Sequence, residues 1–344
     1  MKKVIVSILY AAAAIALSGC AKNVEDGPND ANKRYFDAWM HVHHPDAKPT
    51  GLGIYVLEET PGTGKEVETD GFVLFDYKVS DLDGNITSYT DKETAKQLGE
   101  YDTTSYYGPK FQTTAKGTIT AGLAEALKGM KVGGKKKVII PCWLMSYKSY
   151  STEAKYLAAS SSYANTVYEV SIADFTDNIT EWQTDSIGRY FAENPEIFAG
   201  MTVKDTVKDY SGMYYRKLTE PVDTSAFPSD TTIYINYTGM LLNGHIFDTT
   251  IENVAKDNGL YTSGRDYKPV QINWGESYSE ITMGSDESSI ISGFALTLWQ
   301  MRPMESGIGV FISDYGYTGS GSGSSIPPYS PLVFKIEIVE KPEE

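Results

Sequence analysis

The chain has 344 residues, of which 41% are hydrophobic and 22% charged, and its formal net charge at neutral pH is −15. At roughly 150 residues per domain this length favours two domains, and the composition is that of a folded chain rather than a disordered one. The acidic balance argues against a nucleic-acid partner, because a phosphate backbone requires clustered positive charge. With two Cys and four His in the chain, we expect no structural zinc site and no disulfide framework.

Residues 1–19 have the features of a secretory signal: a basic start, a short apolar core and small residues before Cys20. The apolar stretch 4–17 is shorter than the roughly 20 residues that a membrane-spanning helix needs. The run 17–20 (LSGC) resembles the bacterial lipobox, which implies cleavage before Cys20 and acylation of that residue. Ala21 is not the Asp that commonly retains such lipoproteins in the inner membrane. The resemblance therefore favours a protein anchored by lipid in the outer membrane of a bacterial cell envelope. Whether it lies on the periplasmic or the outer surface of that membrane is left undecided.

Hydrophobic periodicity predicts the elements of the remaining chain. Alternating or continuous apolar runs indicate strands, and apolar residues three and four positions apart indicate helices. In chain order we predict a helix at 31–43, strands at 73–79, a short helix at 123–130, strands at 138–140 and 167–172, a helix at 177–194, strands at 233–237, a short helix at 294–301, and strands at 310–312 and 333–338. Asp83-Gly84 and Asn243-Gly244 are turn signals after the first strand of each set.

Two stretches of the chain match each other at a constant spacing of 160 residues, as from Tyr77 to Tyr237. Further along, the spacing grows to 171, as from Met130 to Met301. The second copy thus holds about eleven extra residues, which we place in the Gly, Ser and acid-rich stretch 276–289 and predict to be a loop. We infer two homologous domains, each preceded by a helix that packs on its own domain.

Each copy combines a mostly antiparallel, twisted sheet with one short helix, so the predicted fold class is α+β, built from two tandem domains of one kind. The predicted division of the chain is a signal at 1–19, a tether and helix at 20–50, a first domain at 51–175, a linking helix at 176–210 and a second domain at 211–344.

The second copy carries an ordered set of motifs: 235–240 (INYTGM), 243–250 (NGHIFDTT), 290–294 (IISGF) and 326–328 (IPP), followed by 332–334. This set closely resembles the FKBP-type peptidyl-prolyl cis-trans isomerases over about 211–341. The resemblance implies an FKBP-like sheet wrapped on a short helix, with a shallow aromatic pocket that takes a prolyl ring. By this resemblance the catalytic residues are expected to be Tyr237, Phe247, Asp248 and Tyr317. By the same resemblance the substrate-binding residues are expected to be Val270, Ile290, Ile291, Phe294, Ile326 and Phe334.

This sequence departs from the family at two of these positions. Val270 stands where the family usually has an aromatic residue, and Phe294 stands where many members have Trp. Without the motifs, aromatic and Ile residues at such spacings would be interpreted as ordinary core, and Asp248 as a turn residue.

The chemistry that the resemblance implies needs neither a cofactor nor a metal. Rotating an X–Pro bond means losing amide resonance against a barrier of about 18–20 kcal/mol, and no covalent bond is broken. An apolar, water-poor pocket disfavours the charge-separated planar amide relative to the twisted one. The apolar surround would consist of Phe247, Phe294, Phe334 and Ile291. The Tyr317 hydroxyl would bond a substrate carbonyl, and Asp248 would orient Tyr237 or polarise the site.

The first copy lacks this set. At the spacing of 160, Phe247 and Asp248 fall on Thr87 and Ser88, and Leu123 stands in the place of Phe294. We therefore interpret the first domain as a degenerate FKBP-like module that is non-catalytic and serves in peptide binding or as a spacer.

Two charged runs are assigned no chemistry. His41, His43 and His44 do not share one face of a helix, so we predict a solvated helix end rather than a metal site. The run 135–137 (KKK) leads into a strand, and we predict that it lies at a sheet edge, where charge resists aggregation.

The resulting hypothesis is a lipid-anchored peptidyl-prolyl isomerase, or folding helper, that acts on proline-containing or unfolded exported polypeptides. The alternative is a non-catalytic peptide-binding or chaperone lipoprotein with the same fold. A third hypothesis is a surface lipoprotein that contacts glycans through exposed Tyr and Trp.

Overall fold

The computed structural model describes residues 27, 29–159 and 163–343 of the chain. The predicted signal at 1–19 and the predicted lipidation residue Cys20 lie outside the described residues. In the part of the chain that the structure describes, no helix is both long and apolar enough to cross a membrane.

The first domain is built on an antiparallel sheet that has six strands within the described residues, in the order β1-β5-β6-β2-β3, with β4 also paired to β2. Its elements, in chain order, are α1 Asp30–His43, β1 Tyr55–Thr60, β2 Phe72–Ser80, β3 Ile86–Tyr89, α2 Lys92–Leu98, β4 Lys110–Thr113, α3 Ala121–Leu127, β5 Lys135–Ile140, a 3₁₀ turn Cys142–Leu144, α4 Glu153–Ala158 and β6 Thr166–Thr176.

The helix α5 Ile179–Glu193 and the short α6 Pro195–Phe198 link the domains. The second sheet, counted over the same described residues, has eight strands in the order β12-β11-β10-β8-β14-β13-β7, with β9 also paired to β8. Its elements are β7 Met213–Lys217, β8 Thr232–Leu241, β9 Ile246–Thr249, α7 Glu252–Asp257, β10 Val270–Asn273, a 3₁₀ turn Tyr278–Glu280, β11 Thr282–Met283, β12 Ser288–Ser289, α8 Ser292–Gln300, β13 Ser306–Phe311, a 3₁₀ turn Ser313–Tyr315 and β14 Leu332–Val339.

Strand pairing shows that the two copies are equivalent in three dimensions. In the first domain Val79 of β2 pairs with Ser88 of β3, and in the second Gly239 of β8 pairs with Asp248 of β9. Each hairpin shows a register irregularity immediately beyond this pair. The spacing of 160 residues read from the sequence is therefore also the spacing of structurally equivalent positions.

Apolar residues three and four positions apart make α1 and α5 bury one face, whereas residues 293–298 of α8 are buried on all sides. Phe36 and Met40 of α1 lie in the same buried cluster as Leu127 of α3, between these helices and the first sheet. In the second domain α8 buries Phe294 and Leu298 against one face of its sheet. The linking helix α5 covers the opposite face of that sheet with Ile187, Tyr190 and Phe191. The predicted packing of each leading helix on its own domain is therefore confirmed.

Three local predictions are corrected by the structure. The short helices end at Leu127 and Gln300, so Met130 and Met301 lie beyond their ends although both are buried. The stretch 276–289 is not a plain loop, because β11 and β12 form a hairpin that extends the sheet. The run 135–137 is not at an edge, because β5 lies between β1 and β6. Pairing between strands distant in the chain decides this position, and the local charge pattern does not report it.

Candidate functional site

The site in the second domain is built around an irregularity in the β8–β9 hairpin. The register runs from Gly239 opposite Asp248 to Met240 opposite Ile246, so Phe247 is the extra residue of a β-bulge. In a regular strand Phe247 and Asp248 would point to opposite faces of the sheet, and a bulge can re-aim a side chain. Both side chains here contact the same group of rings, as the distances below show.

Aromatic rings from different elements meet edge to face beside this bulge. The centroid of Phe334, on β14, lies 4.9 Å from that of Phe294 on α8, with the rings at 85°. Phe247 lies 5.6 Å from Phe334 at 74°, and Tyr237 lies 5.4 Å from Phe294 at 81°. Edge-to-face pairs of this kind contribute about 0.5–1.5 kcal/mol each beyond simple burial. The rings therefore form a rigid apolar surface.

Gly239 makes room for two of these rings. It pairs across the sheet with Phe334, and an added Cβ at this position would lie 2.6 Å from the ring of Phe247 and 2.8 Å from that of Phe334. Both distances are below any normal carbon–carbon contact. The absence of a side chain at Gly239 thus leaves the space that the rings of Phe247 and Phe334 occupy beside β8.

A polar chain closes one side of the rings. The Tyr237 hydroxyl donates to Asp248 Oδ2, and Arg265 Nη1 lies 2.7 Å from Asp248 Oδ1. Burial, together with the nearby charge of Asp248, raises the pKa of Tyr237, so its hydroxyl stays protonated as a donor. Asp248 is thereby held between a phenol and a guanidinium. This geometry fits the predicted role of Asp248 in orienting Tyr237.

Arg265 is a site residue that sequence reasoning missed. Lys256, Arg265 and Lys268 all lie between Asp248 and Val270, and nothing in their spacing shows which of them reaches the carboxylate. The only signal is the presence of cations in that loop, and the contact depends on how the loop folds back.

The remaining predicted residues gather at the same apolar cluster. Tyr237, Phe294, Ile326 and Phe334 are buried within it, and partly buried against it lie Phe247, Val270, Ile290, Ile291 and Tyr317. Burial, together with the charge of Asp248, raises the pKa of Tyr317, whose hydroxyl is thus also kept protonated. The residues that the resemblance carried over thus belong to this cluster or pack against it, except Asp248, which accepts a hydrogen bond from Tyr237 of the cluster. Their catalytic and binding roles stay predictions.

The equivalent place in the first domain has different chemistry. Thr87 occupies the bulge and bonds its hydroxyl to the Val79 carbonyl at 3.3 Å, while Ser88 stands in the place of Asp248. Val79 stands in the place of Gly239, and Tyr168 pairs with it where Phe334 pairs in the second domain. With no ring at the bulge, this strand needs no glycine.

Within the described residues, no group of three or more His, Cys, Asp or Glu side chains is placed to hold a metal ion. The run at 41–44 ends α1, where the ring of His43 stacks on that of Trp39 at 4.4 Å.

Comparison with known proteins finds similarity over both domains. The model of a family described as FKBP-type peptidyl-prolyl cis-trans isomerase matches residues 64–172 and 224–339, which together make up more than half of the chain. A protein of Haemophilus influenzae described as a probable FKBP-type peptidyl-prolyl cis-trans isomerase is 27% identical over 64% of this chain and 71% of its own length. The macrophage infectivity potentiator of Trypanosoma cruzi is 26% identical over 44% of this chain and 62% of its own.

Solved structures are similar more loosely. The peptidyl-prolyl cis-trans isomerase of Pseudomonas syringae is 25% identical, with a TM-score of 0.30 over 48% of this chain and 97% of that one. FkpA from Escherichia coli is 21% identical, with a TM-score of 0.29 over 51% of this chain and 72% of that one. The double match of the family model, together with the repeated hairpin, shows that the chain belongs to the FKBP-type peptidyl-prolyl cis-trans isomerase family and contains two tandem domains of that family.

Proposed function

We propose that this protein catalyses cis–trans isomerisation of X–Pro bonds at the pocket of its second domain. The observation that carries the proposal is the set of edge-to-face rings of Phe247, Phe294 and Phe334 beside the Tyr237–Asp248 hydrogen bond. The first domain lacks both the bulge aromatic and the carboxylate, so we assign no catalysis to it.

The pocket can lower the barrier without covalent chemistry. The planar amide owes its stability of about 18–20 kcal/mol against rotation to a charge-separated resonance form, and water stabilises that form. Rings that exclude water remove this stabilisation and present flat surfaces to the prolyl ring. Tyr317 supplies a protonated hydroxyl as a donor to a substrate carbonyl. The contacts of Asp248 with Tyr237 and Arg265 keep the polar side of the pocket from moving.

The test is an isomerisation assay of the full chain on a short X–Pro peptide, with matched variants in the two domains. Phe247→Ala and Asp248→Leu should each lower kcat/KM at least tenfold, while Thr87→Ala and Ser88→Ala, at the equivalent positions, should leave it within twofold. Wild-type protein that does not accelerate isomerisation above background would refute the proposal.

The same proteins distinguish the non-catalytic alternative. If the protein only holds unfolded segments, suppression of client aggregation would persist in Phe247→Ala and Asp248→Leu, and the wild type would show no turnover. A polysaccharide pull-down tests the glycan hypothesis, and an empty one removes it.

We further propose that acylated Cys20 anchors the protein in the bacterial envelope, with the outer membrane favoured, and that its substrates are exported polypeptides. The proposal rests on the signal-like segment and on the run 17–20 (LSGC). Labelled palmitate should enter the wild type and a Cys142→Ser control but not Cys20→Ser, and only Cys20→Ser should leave the membrane fraction. Equal labelling of Cys20→Ser would overturn this proposal.

A further inference from the structure

A loop between β13 and β14, residues 312–331, supplies Tyr317 and Ile326 to the pocket, and we call it the rim loop. Its backbone is irregular: Thr318 and Tyr329 adopt positive φ angles of 50° and 58°. Side chains make this region of backbone conformation sterically unfavourable for residues other than glycine. Such a conformation persists only where its surroundings determine it. The loop bonds its own backbone and packs on the second domain's apolar cluster, and it has further contacts with the linking helix and with the first domain.

The linking helix holds the start of the rim loop. Gln183 of α5 is 1% exposed, and its side-chain oxygen accepts from the Ser313 backbone N–H at 2.6 Å. Its side-chain nitrogen donates to Ser313 Oγ at 3.1 Å. Ser313 lies four residues before Tyr317, so this buried pair determines where the loop leaves β13.

The first domain holds the tip of the rim loop. The backbone N–H of Tyr106 donates to the Ser324 carbonyl at 2.9 Å, and Ser105 Oγ donates to Ser324 Oγ at 2.9 Å. Ser324 is the middle residue of a tight turn in which Ser322 and Ile326 bond each other's backbone in both directions. A contact at Ser324 therefore acts directly on the turn that positions Ile326.

Packing of the Tyr106 ring reinforces this contact. The ring lies among the side chains packed against the second domain's apolar cluster, and its centroid is 6.2 Å from that of His245 on the hairpin that carries Phe247. Nearby, Thr103 Oγ1 donates to the Gly259 carbonyl at 3.0 Å.

The first domain also holds the far end of the rim loop. The ring of Tyr329 meets that of Phe72 at 5.1 Å and 77°, and that of Phe111 at 6.4 Å and 87°. Phe72 and Phe111 belong to the paired strands β2 and β4 of the first sheet. The side chain of one of the two positive-φ residues of the loop thus packs against the first domain, while its backbone N–H donates to the Thr318 carbonyl within the loop.

We propose that the first domain, which has lost its own pocket chemistry, is a positioning element that preforms the rim of the second domain's pocket, with Tyr106 as its principal positioning residue. The proposal rests on the proposed function of that pocket. When the rim is preformed, binding of a prolyl segment does not have to order the loop. Loss of the preformed rim should therefore raise KM more than it lowers kcat.

The test compares full-length variants in the X–Pro isomerisation assay. Tyr106→Ala should raise KM about tenfold with kcat within threefold of the wild type. Both variants keep the backbone N–H that bonds Ser324, so the comparison isolates the Tyr106 ring. Tyr106→Phe keeps that ring, loses only the hydroxyl bond to the Pro109 carbonyl, and should behave like the wild type. Tyr147→Ala removes an exposed tyrosine of the same domain away from the rim loop and should change neither parameter. A Tyr106→Ala protein with wild-type KM would overturn the proposal.

A cross-link provides a rescue that a general loss of stability would not give. Ser105→Cys with Ser324→Cys places two thiols where the hydroxyl oxygens now lie 2.9 Å apart. Oxidation to the disulfide, in the presence of Tyr106→Ala, should return KM to within twofold of the wild type, whereas the reduced protein should keep the raised KM. Equal KM in the two forms would contradict positioning.

Hydrogen exchange of the amides at 318–331 tests the proposal without catalysis. Tyr106→Ala should speed exchange in this loop at least tenfold and leave β8 and β14 unchanged. If the wild type proves inactive, the proposed function fails, yet this result still decides whether the first domain holds the loop. Wild-type exchange in Tyr106→Ala would overturn the inference. Should that variant not fold, Phe72→Ala, which removes the first-domain ring beside Tyr329, gives the same comparison.

Discussion

Adding one methyl group at Gly239 should displace the rings of the pocket and lower catalytic activity. The new Cβ would lie 2.6 Å from Phe247 and 2.8 Å from Phe334, so both rings must shift, by up to about 1 Å, to restore normal contact. Overpacking of this kind destabilises a protein by about 1–3 kcal/mol. A misplacement of about 1 Å at a reacting centre lowers the rate by about a hundredfold. We therefore expect Gly239→Ala to lower the urea midpoint and to lower kcat/KM by ten- to a hundredfold.

Gly307→Ala is the matched control. Its added Cβ would lie 2.5 Å from the Tyr215 hydroxyl oxygen, on β13 of the same sheet but outside the pocket. It should cost a similar free energy of unfolding and leave kcat/KM within twofold. In a Phe247→Ala background Gly239→Ala should lower the free energy of unfolding by at least about 0.5 kcal/mol less than it does in the wild type, because the Phe247 ring that the methyl would meet is absent. Full activity of Gly239→Ala, or strict additivity with Phe247→Ala, would refute this packing.

Three further variants test contacts elsewhere in the second domain. Tyr237→Phe should cost about 0.5–1.5 kcal/mol in urea unfolding and lower kcat, since Asp248 loses a donor; unchanged kcat would remove that hydroxyl from the mechanism. Tyr215→Phe should cost about 1–3 kcal/mol, because the buried Glu305 carboxylate loses a hydrogen bond, and wild-type stability would contradict this contact. Burial, opposed by the Thr104 backbone, lowers the pKa of His245, so the unfolded state takes up its proton first as pH falls below about 6.5. The free energy of unfolding should decline there more steeply in the wild type than in His245→Phe, and identical slopes would argue against a shifted His245.

Much of the fold was predictable because its periodicities are local. The alternation at 73–79 and 167–172 gave β2 and β6, and the Trp182, Ile187 and Tyr190 pattern gave α5. The constant spacing of the repeat then gave two domains, since equivalent positions share equivalent register.

Pairing between distant segments was not predictable. The lysines at 135–137 predicted an edge strand, yet β1 pairs with this strand on its outer side. Lys136 donates to the Ala126 carbonyl at 3.1 Å. Only tertiary pairing determines such positions, because the same charge pattern suits an edge strand and an inner strand whose lysines find partners.

The pocket was predictable in its residues but not in its support. Motif order identified Phe247 and Asp248, while the bulge that turns both toward the same rings appears only in the pairing. Arg265 and Tyr106 reach the site through loops and, for Tyr106, through the other domain. No pattern near them in the chain marks these contacts, because they depend on how the loops and the domains pack together.

The central claim is that the second domain alone holds the prolyl pocket. The most direct measurement is a crystal structure of the full chain with a bound X–Pro peptide. We predict the proline ring against Phe247, Phe294 and Phe334, with a peptide carbonyl within hydrogen-bond distance of the Tyr317 hydroxyl. A proline seated in the first domain, beside Thr87 and Ser88, or on any surface away from these rings would contradict the account.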